Sequence, residues 1–217
     1  MKDQPEMSLY QQALQFEQAG DFARAFNLFY ECLSEAKQDR GDLLFHCGWC
    51  LEQDKERDVR QALSFYREAG EIAGDPVCRM NSLFRAGWLL MHLKEYAGAG
   101  ELYLKAVRTP VEKGAEQLYT HAAYWLAVCL EVQGRQLEAL EWFRKVQQLS
   151  PQLSLEARFR EICCLNRIGA YAEALEVCRR FDEPAPPGMD EARYRELREL
   201  AEKERRILES CLAEEFF

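Results

Sequence analysis

The feature that most constrains this chain is a helix-pair pattern that returns five times, at a spacing of roughly 35 to 40 residues. Its clearest copy covers residues 124–151, YWLAVCLEVQGRQLEALEWFRKVQQLSP. Leu126, Ala127 and Leu130 fall on one face of a first helix. Ala139, Phe143 and Val146 follow at three- and four-residue steps on a second. Gly134 marks the turn between them, and Pro151, which has no N–H to donate, ends the pair.

The other copies share its logic. A small residue lies midway along each first helix, at Ala13, Gly48, Gly87 and Ala127, with Ile162 an imperfect fifth. Each second helix carries an alanine, at Ala25, Ala62, Ala99, Ala139 and Ala174. A large residue follows four positions on, at Phe29, Tyr66, Tyr103 and Phe143, with Cys178 in its place in the fifth copy. Small residues let two helices approach, and the large residue of one fills the space left by the other. One pair cannot bury both its faces, so pairs must stack. Turn signals separate the helices at Gly20-Asp21, in the charged stretch 54–58, at Lys94-Glu95, at Gly134 and at Gly169. The longer connections 109–117 and 74–80 predict extended second helices or ordered loops.

These residues resemble the tetratricopeptide repeat family over about positions 6 to 182. The copy at 124–151 matches best, with Leu126-Ala127, Gly134, Ala139, Phe143 and Pro151 at the family's spacing. The tryptophan that often opens the family's first helix is absent. Leu9, Leu44, Leu83 and Ala123 fill that slot, and the fifth copy lacks the small residue and the large aromatic. The fold implied is all-α: a right-handed α-solenoid of about five helix pairs over residues 1–182. A Pro-rich linker follows at 183–188, and a charged amphipathic helix at 189–217 caps the array. The stripe Tyr194, Leu197, Ala201, Leu208, Cys211 and Leu212 is what that last helix offers the array.

A net charge of −9 speaks against nucleic acid or an anionic membrane as a partner, because phosphate recognition needs a basic face. The opening MKDQPEMSLYQQALQ has no signal-peptide core and no stretch reaches transmembrane length, which predicts a cytoplasmic protein. Nine cysteines at helical positions are a poor disulfide framework.

Cys47-Gly48-Trp49-Cys50 is the one motif that suggests chemistry. A redox CxxC needs a βαβ context, and a zinc site needs two further ligands that are not spaced for it. Cys50, Cys129 and Cys164 instead share one slot, two residues after the small position, as small buried hydrophobes. The histidines, His46, His92 and His121, lie in different copies, and no nucleophile, phosphate-loop or metalloprotease pattern appears. No enzyme activity, cofactor or metal is expected.

The resemblance implies that the first helices line a concave face used for binding. One slot of that face holds Tyr10, Phe45, Phe84, Tyr124 and Phe159; the next holds Leu14, Trp49, Trp88, Val128 and Cys163. A third holds Glu17, Glu52, Met91, Glu131 and Asn166. The expectation is a non-catalytic scaffold binding a protein or peptide with an apolar or amphipathic segment. Its basic residues would lie opposite Glu17, Glu52 and Glu131. The alternative is a self-associating structural protein whose groove or C-terminal helix joins copies into a homo-oligomer. Tyr10 and Leu14 stand where a carboxylate clamp would need lysine and asparagine, so that specialisation is not expected.

Overall fold

The computed structural model describes residues 7–35, 39–54, 58–185 and 189–215. Among them are eleven helices and no strand. The chain forms two compact units, divided between Tyr119 and Thr120. The first unit holds α1 (Leu9–Gln18), α2 (Phe22–Glu35), α3 (Arg40–Gln53), α4 (Val59–Ile72), α5 (Pro76–His92) and α6 (Tyr96–Arg108). The second holds most of α7 (Glu116–Val132), then α8 (Gln136–Leu149), α9 (Pro151–Arg167), α10 (Tyr171–Arg179) and α11 (Glu191–Glu215). Pro186, Pro187 and Gly188 of the expected linker, and residues 55–57 of the charged turn, lie outside the described residues.

Four first helices end in the same backbone turn. After α1, α5, α7 and α9 the residues Gly20, Lys94, Gly134 and Gly169 take positive φ, at 79°, 61°, 79° and 75°. In each, the residue after it donates its N–H to a carbonyl five positions back: Asp21 to Phe16, Glu95 to Leu90, Arg135 to Leu130 and Ala170 to Leu165. This closes the last orphan carbonyls of the first helix and points the chain into the second. Lys94 shows that the turn is imposed by the pairing, since only glycine adopts it without steric cost.

Of the two longer connections, 74–80 differs from the sequence expectation and 109–117 largely follows it. Residues 76–80 are not an extension of the second helix α4, which ends at Ile72; they open a long first helix, α5. Asp75 caps it by accepting from the Cys78 N–H, with Pro76 in the first turn where its missing donor costs nothing. Ser150 and Pro151 repeat that device for α9, so Pro151 ends one pair by starting the next. The 109–115 stretch is an ordered loop with a turn at Gly114 and Ala115 buried.

Within the first unit each helix packs on its chain neighbours, and α3 also touches α5. The core is the small–large fit of the repeat. A Cβ placed on Gly48 would lie 2.9 Å from the Tyr66 ring, and one on Gly87 would lie 2.9 Å from the Tyr103 ring. Ala13 and Phe29 are fully buried in the first unit, and Ala127, Ala139 and Phe143 in the second. In the second unit α9 packs on α8, α10 and α11, and α11 also packs on α10. Tyr194, Leu197, Ala201 and Leu208 of α11 are buried there, and the Tyr194 hydroxyl donates to the carbonyls of Phe181 and Glu183.

Gly134→Ala should lower stability by about 1 kcal/mol, because the added Cβ meets nothing but must sit at positive φ. Lys94→Gly should leave stability unchanged or raise it, relieved strain offsetting the extra freedom of the unfolded chain. Urea denaturation of the two variants checks the pair.

Candidate functional site

The first slot of the expected binding face proves to be a packing position. Tyr10, Phe45, Phe84 and Tyr124 each cover the large ring on the second helix of their own pair. The ring centroids are 5.8 Å apart for Tyr10 and Phe29, 5.7 Å for Phe45 and Tyr66, and 5.7 Å for Phe84 and Tyr103. In the second unit Tyr124 and Phe143 lie 6.0 Å apart. Tilted and edge-to-face pairs of this kind add about 0.5–1.5 kcal/mol beyond the area they bury. Tyr10, Phe45, Phe84 and Phe159 remain half-buried, while Tyr124 is buried and its hydroxyl pKa is raised by desolvation.

The second slot is accessible to the same degree as the first in the first unit, where Leu14, Trp49 and Trp88 are partly exposed on α1, α3 and α5. The Arg85 guanidinium lies over the Trp49 ring, 4.5 Å from its centroid, and the Trp88 and His92 rings are 4.5 Å apart. In the second unit Val128 is buried and Cys163 half-buried.

The third slot holds the largest departure from the simple picture. Its carboxylates are occupied by groups from within the protein. Glu17 Oε1 lies 2.8 Å from His46 Nδ1 on the next first helix. Glu52 accepts from the Tyr66 hydroxyl at 2.7 Å and from Arg85 Nη1 at 3.2 Å. Glu131 accepts from Arg160 at 3.1 Å and from Arg167 at 2.8 Å. Their side chains are only 13, 13 and 2% exposed, so these acids face their own neighbours rather than an open surface. Asn166 continues the pattern by donating to Glu204 of α11 at 3.1 Å.

The partners His46, Arg85 and Arg160 each stand one residue after a slot-one aromatic. That regularity was present in the aligned copies, but cations on a charged helix resemble solvated ones until their counter-charge is located. Tyr10 joins the first link by donating to Asp42 at 2.6 Å, and its pKa is raised by burial and by that hydrogen bond.

The CxxC pair is buried. Cys47 and Cys50 are at most 1% exposed, and desolvation pushes the Cys47 thiol up to about 12. Burial pushes Cys129 and Cys164 up to about 12 as well. Among the described residues no group of three or more His, Cys, Asp or Glu side chains is placed to hold a metal ion. No described helix is long and apolar enough to cross a membrane.

Residues 112–154, which span α7 and α8, match a family model described as tetratricopeptide repeat. That segment carries the family's repeat. Solved structures extend the likeness of fold across the chain. MamA from AMB-1 matches with a TM-score of 0.59 and 18% identity, covering 80% of this chain and 95% of that one. Another MamA structure matches at 0.58 and 14%, covering 94% and 95%. YrrB, described as a TPR protein with an unusual peptide-binding site, matches at 0.54 and 24%, covering 70% and 71%. No curated protein matches the chain in sequence.

Two outcomes follow from this geometry. Replacing Arg160 and Arg167 together by Ala strands Glu131 as a buried charge and should cost about 3–5 kcal/mol. Glu131→Gln frees two arginines that already reach solvent and should cost only about 1–2 kcal/mol. Thermal denaturation of the two variants compares them. In the folded protein, alkylation at pH 8 mapped by mass spectrometry should leave Cys47, Cys129 and Cys164 unmodified. A thiol at about 12 is ionised there in only about one molecule in ten thousand.

Proposed function

We propose that the protein is a non-catalytic, cytoplasmic interaction module that holds an apolar or amphipathic segment of a partner protein against its first helices. The observation that carries this reading is the row of half-exposed Leu14, Trp49 and Trp88 on α1, α3 and α5. Half-buried tryptophans on rigid helices lose little side-chain freedom on binding and present large apolar area, as binding hot spots do. Tyr10, Phe45 and Phe84 flank them as a partly exposed floor in the first unit, and Tyr124, Val128 and Phe159 take the corresponding slots in the second. Because Glu17, Glu52 and Glu131 are already paired, the apolar contact rather than basic counter-charges supplies the affinity. The peptide-binding site described for YrrB supports this use of the fold.

The segment 189–217 completes this reading as a cap on the repeats at 1–182. Its support is the burial of Leu197, Ala201 and Leu208 where α11 meets α9 and α10. A capping helix closes the apolar end that a stack of pairs otherwise leaves open.

Trp49→Ala and Trp88→Ala should each weaken binding of a peptide selected from a displayed library by about tenfold or more, while leaving the far-ultraviolet circular dichroism unchanged. Fluorescence titration measures the affinity. If selected peptides bind both variants as tightly as the parent, the reading is wrong. A dimer by light scattering that Trp88→Ala converts to monomer assigns the same face to self-association instead.

A further inference from the structure

The second unit carries a feature that the binding face does not use. A cavity of about 460 Å3 opens among α8, α9 and α10. Its wall is polar and charged, with Val177 the one apolar side chain among its lining residues. A site of this size and lining suits a small polar ligand rather than an apolar peptide side chain.

The sign of that ligand follows from which charges in the wall already have partners. Glu161 accepts from Arg144 Nε at 2.6 Å and from Gln147 at 2.8 Å. Glu173 accepts from the other end of the Arg144 guanidinium at 2.5 Å, and Glu176 is paired with Arg179. The two remaining cations of the wall are different. Among the described residues neither Arg158 nor Arg180 makes an ion pair. Arg158 spends one nitrogen on the Arg180 carbonyl at 3.3 Å, its guanidinium lies 5.7 Å from the Phe181 ring centroid, and its buried Nε donates to nothing.

The pair is electrostatically unsettled. Burial, and then the neighbouring charge of Arg180, lower the Arg158 pKa, against the smaller opposing pull of Glu183 and Glu161. The half-buried Arg158 guanidinium, with the exposed Arg180 beside it, is stabilised by an anion placed between the two. Their forked donors match the oxygens of a phosphoryl group. The wall carries three arginines and three glutamates, so an anion would be held by the two unpaired guanidinium groups and not by an excess of positive charge.

We propose that the cavity among α8, α9 and α10 binds a small phosphoryl oxyanion between the guanidinium groups of Arg158 and Arg180. The phosphoryl group can arrive free or on a phosphorylated side chain, and the chemistry of recognition is the same for both. The site shares none of its binding residues with the tryptophan face, so it stands independently of that assignment.

Isothermal titration of the full chain with inorganic phosphate, pyrophosphate and a phosphoserine peptide tests it. The expected result is saturable binding that weakens at least tenfold in the double variant Arg158→Gln/Arg180→Gln. The control Arg195→Gln/Arg206→Gln, with the same loss of charge on α11, should bind as the parent does. Tighter binding of the peptide than of free phosphate assigns the site to a modified protein, and the reverse order to a free anion. No saturable binding of any probe, or equal loss in the control, overturns the proposal. Arg180→Gln alone changes an exposed side chain and keeps the carbonyl that Arg158 uses, so it carries the test if the double variant unfolds. Its melting temperature should not fall, because the cation it removes has no partner.

Discussion

Everything in the first unit depends on a ring pressed against a bare backbone. At Gly48 and Gly87 the first helix has no side chain, and the rings of Tyr66 and Tyr103 occupy the space a Cβ would need. The approach this permits brings the slot-one aromatics Phe45 and Phe84 against the same rings. Each tyrosine is thus clasped by two residues three positions apart on its partner helix. A fit of this kind tolerates neither a larger residue on one side nor a smaller one on the other, since close-packed interiors feel a single methylene. The turn geometry is downstream of it: Lys94 accepts a left-handed backbone because the two helices it joins are held by that clasp.

The same contact explains why a binding face and a core are hard to tell apart in this fold. An aromatic can support the ring beneath it and still keep part of its own surface open. Tyr10, Phe45 and Phe84 do both, since each is half-buried and each touches a fully buried ring. One helical turn on, Leu14, Trp49 and Trp88 are no longer needed by the core of their own pair. That is why apolar character at that slot carries more functional information than aromaticity at the first.

How much of this was legible in the sequence differs by level. Helix pairing, the small and large positions and the turn glycines were readable because each follows from local geometry at a fixed period. Helix ends were less so. Asp75-Pro76 reads equally as a break after one helix and as a cap before the next, and only the partner of the Asp75 carboxylate decides it. The carboxylate slot was the hardest. Glu17, Glu52 and Glu131 have the right spacing for a surface row, and their partners in the neighbouring copy stand 29 to 36 residues away. Periodicity assigns a residue to a face; it does not say whether the neighbouring copy reaches across to meet it.

Those cross-copy links join each first helix to the next. The link from α1 to α3 is Glu17 to His46, backed by Phe29 stacked 4.6 Å from the His46 ring and by the Tyr10 hydroxyl donating to Asp42. The link from α3 to α5 is Glu52 to Arg85, with the Tyr66 hydroxyl donating to the same carboxylate. The link from α7 to α9 uses two arginines on one buried carboxylate. Each of these bonds ends on a carboxylate and is therefore charge-assisted, which makes it stronger than a neutral one. Leu14, Trp49 and Trp88 stand on α1, α3 and α5, the helices that the first two links join. A partner segment laid along these three residues would meet anchors whose spacing is held by the carboxylate links on one side and by the small–large packing of each pair on the other.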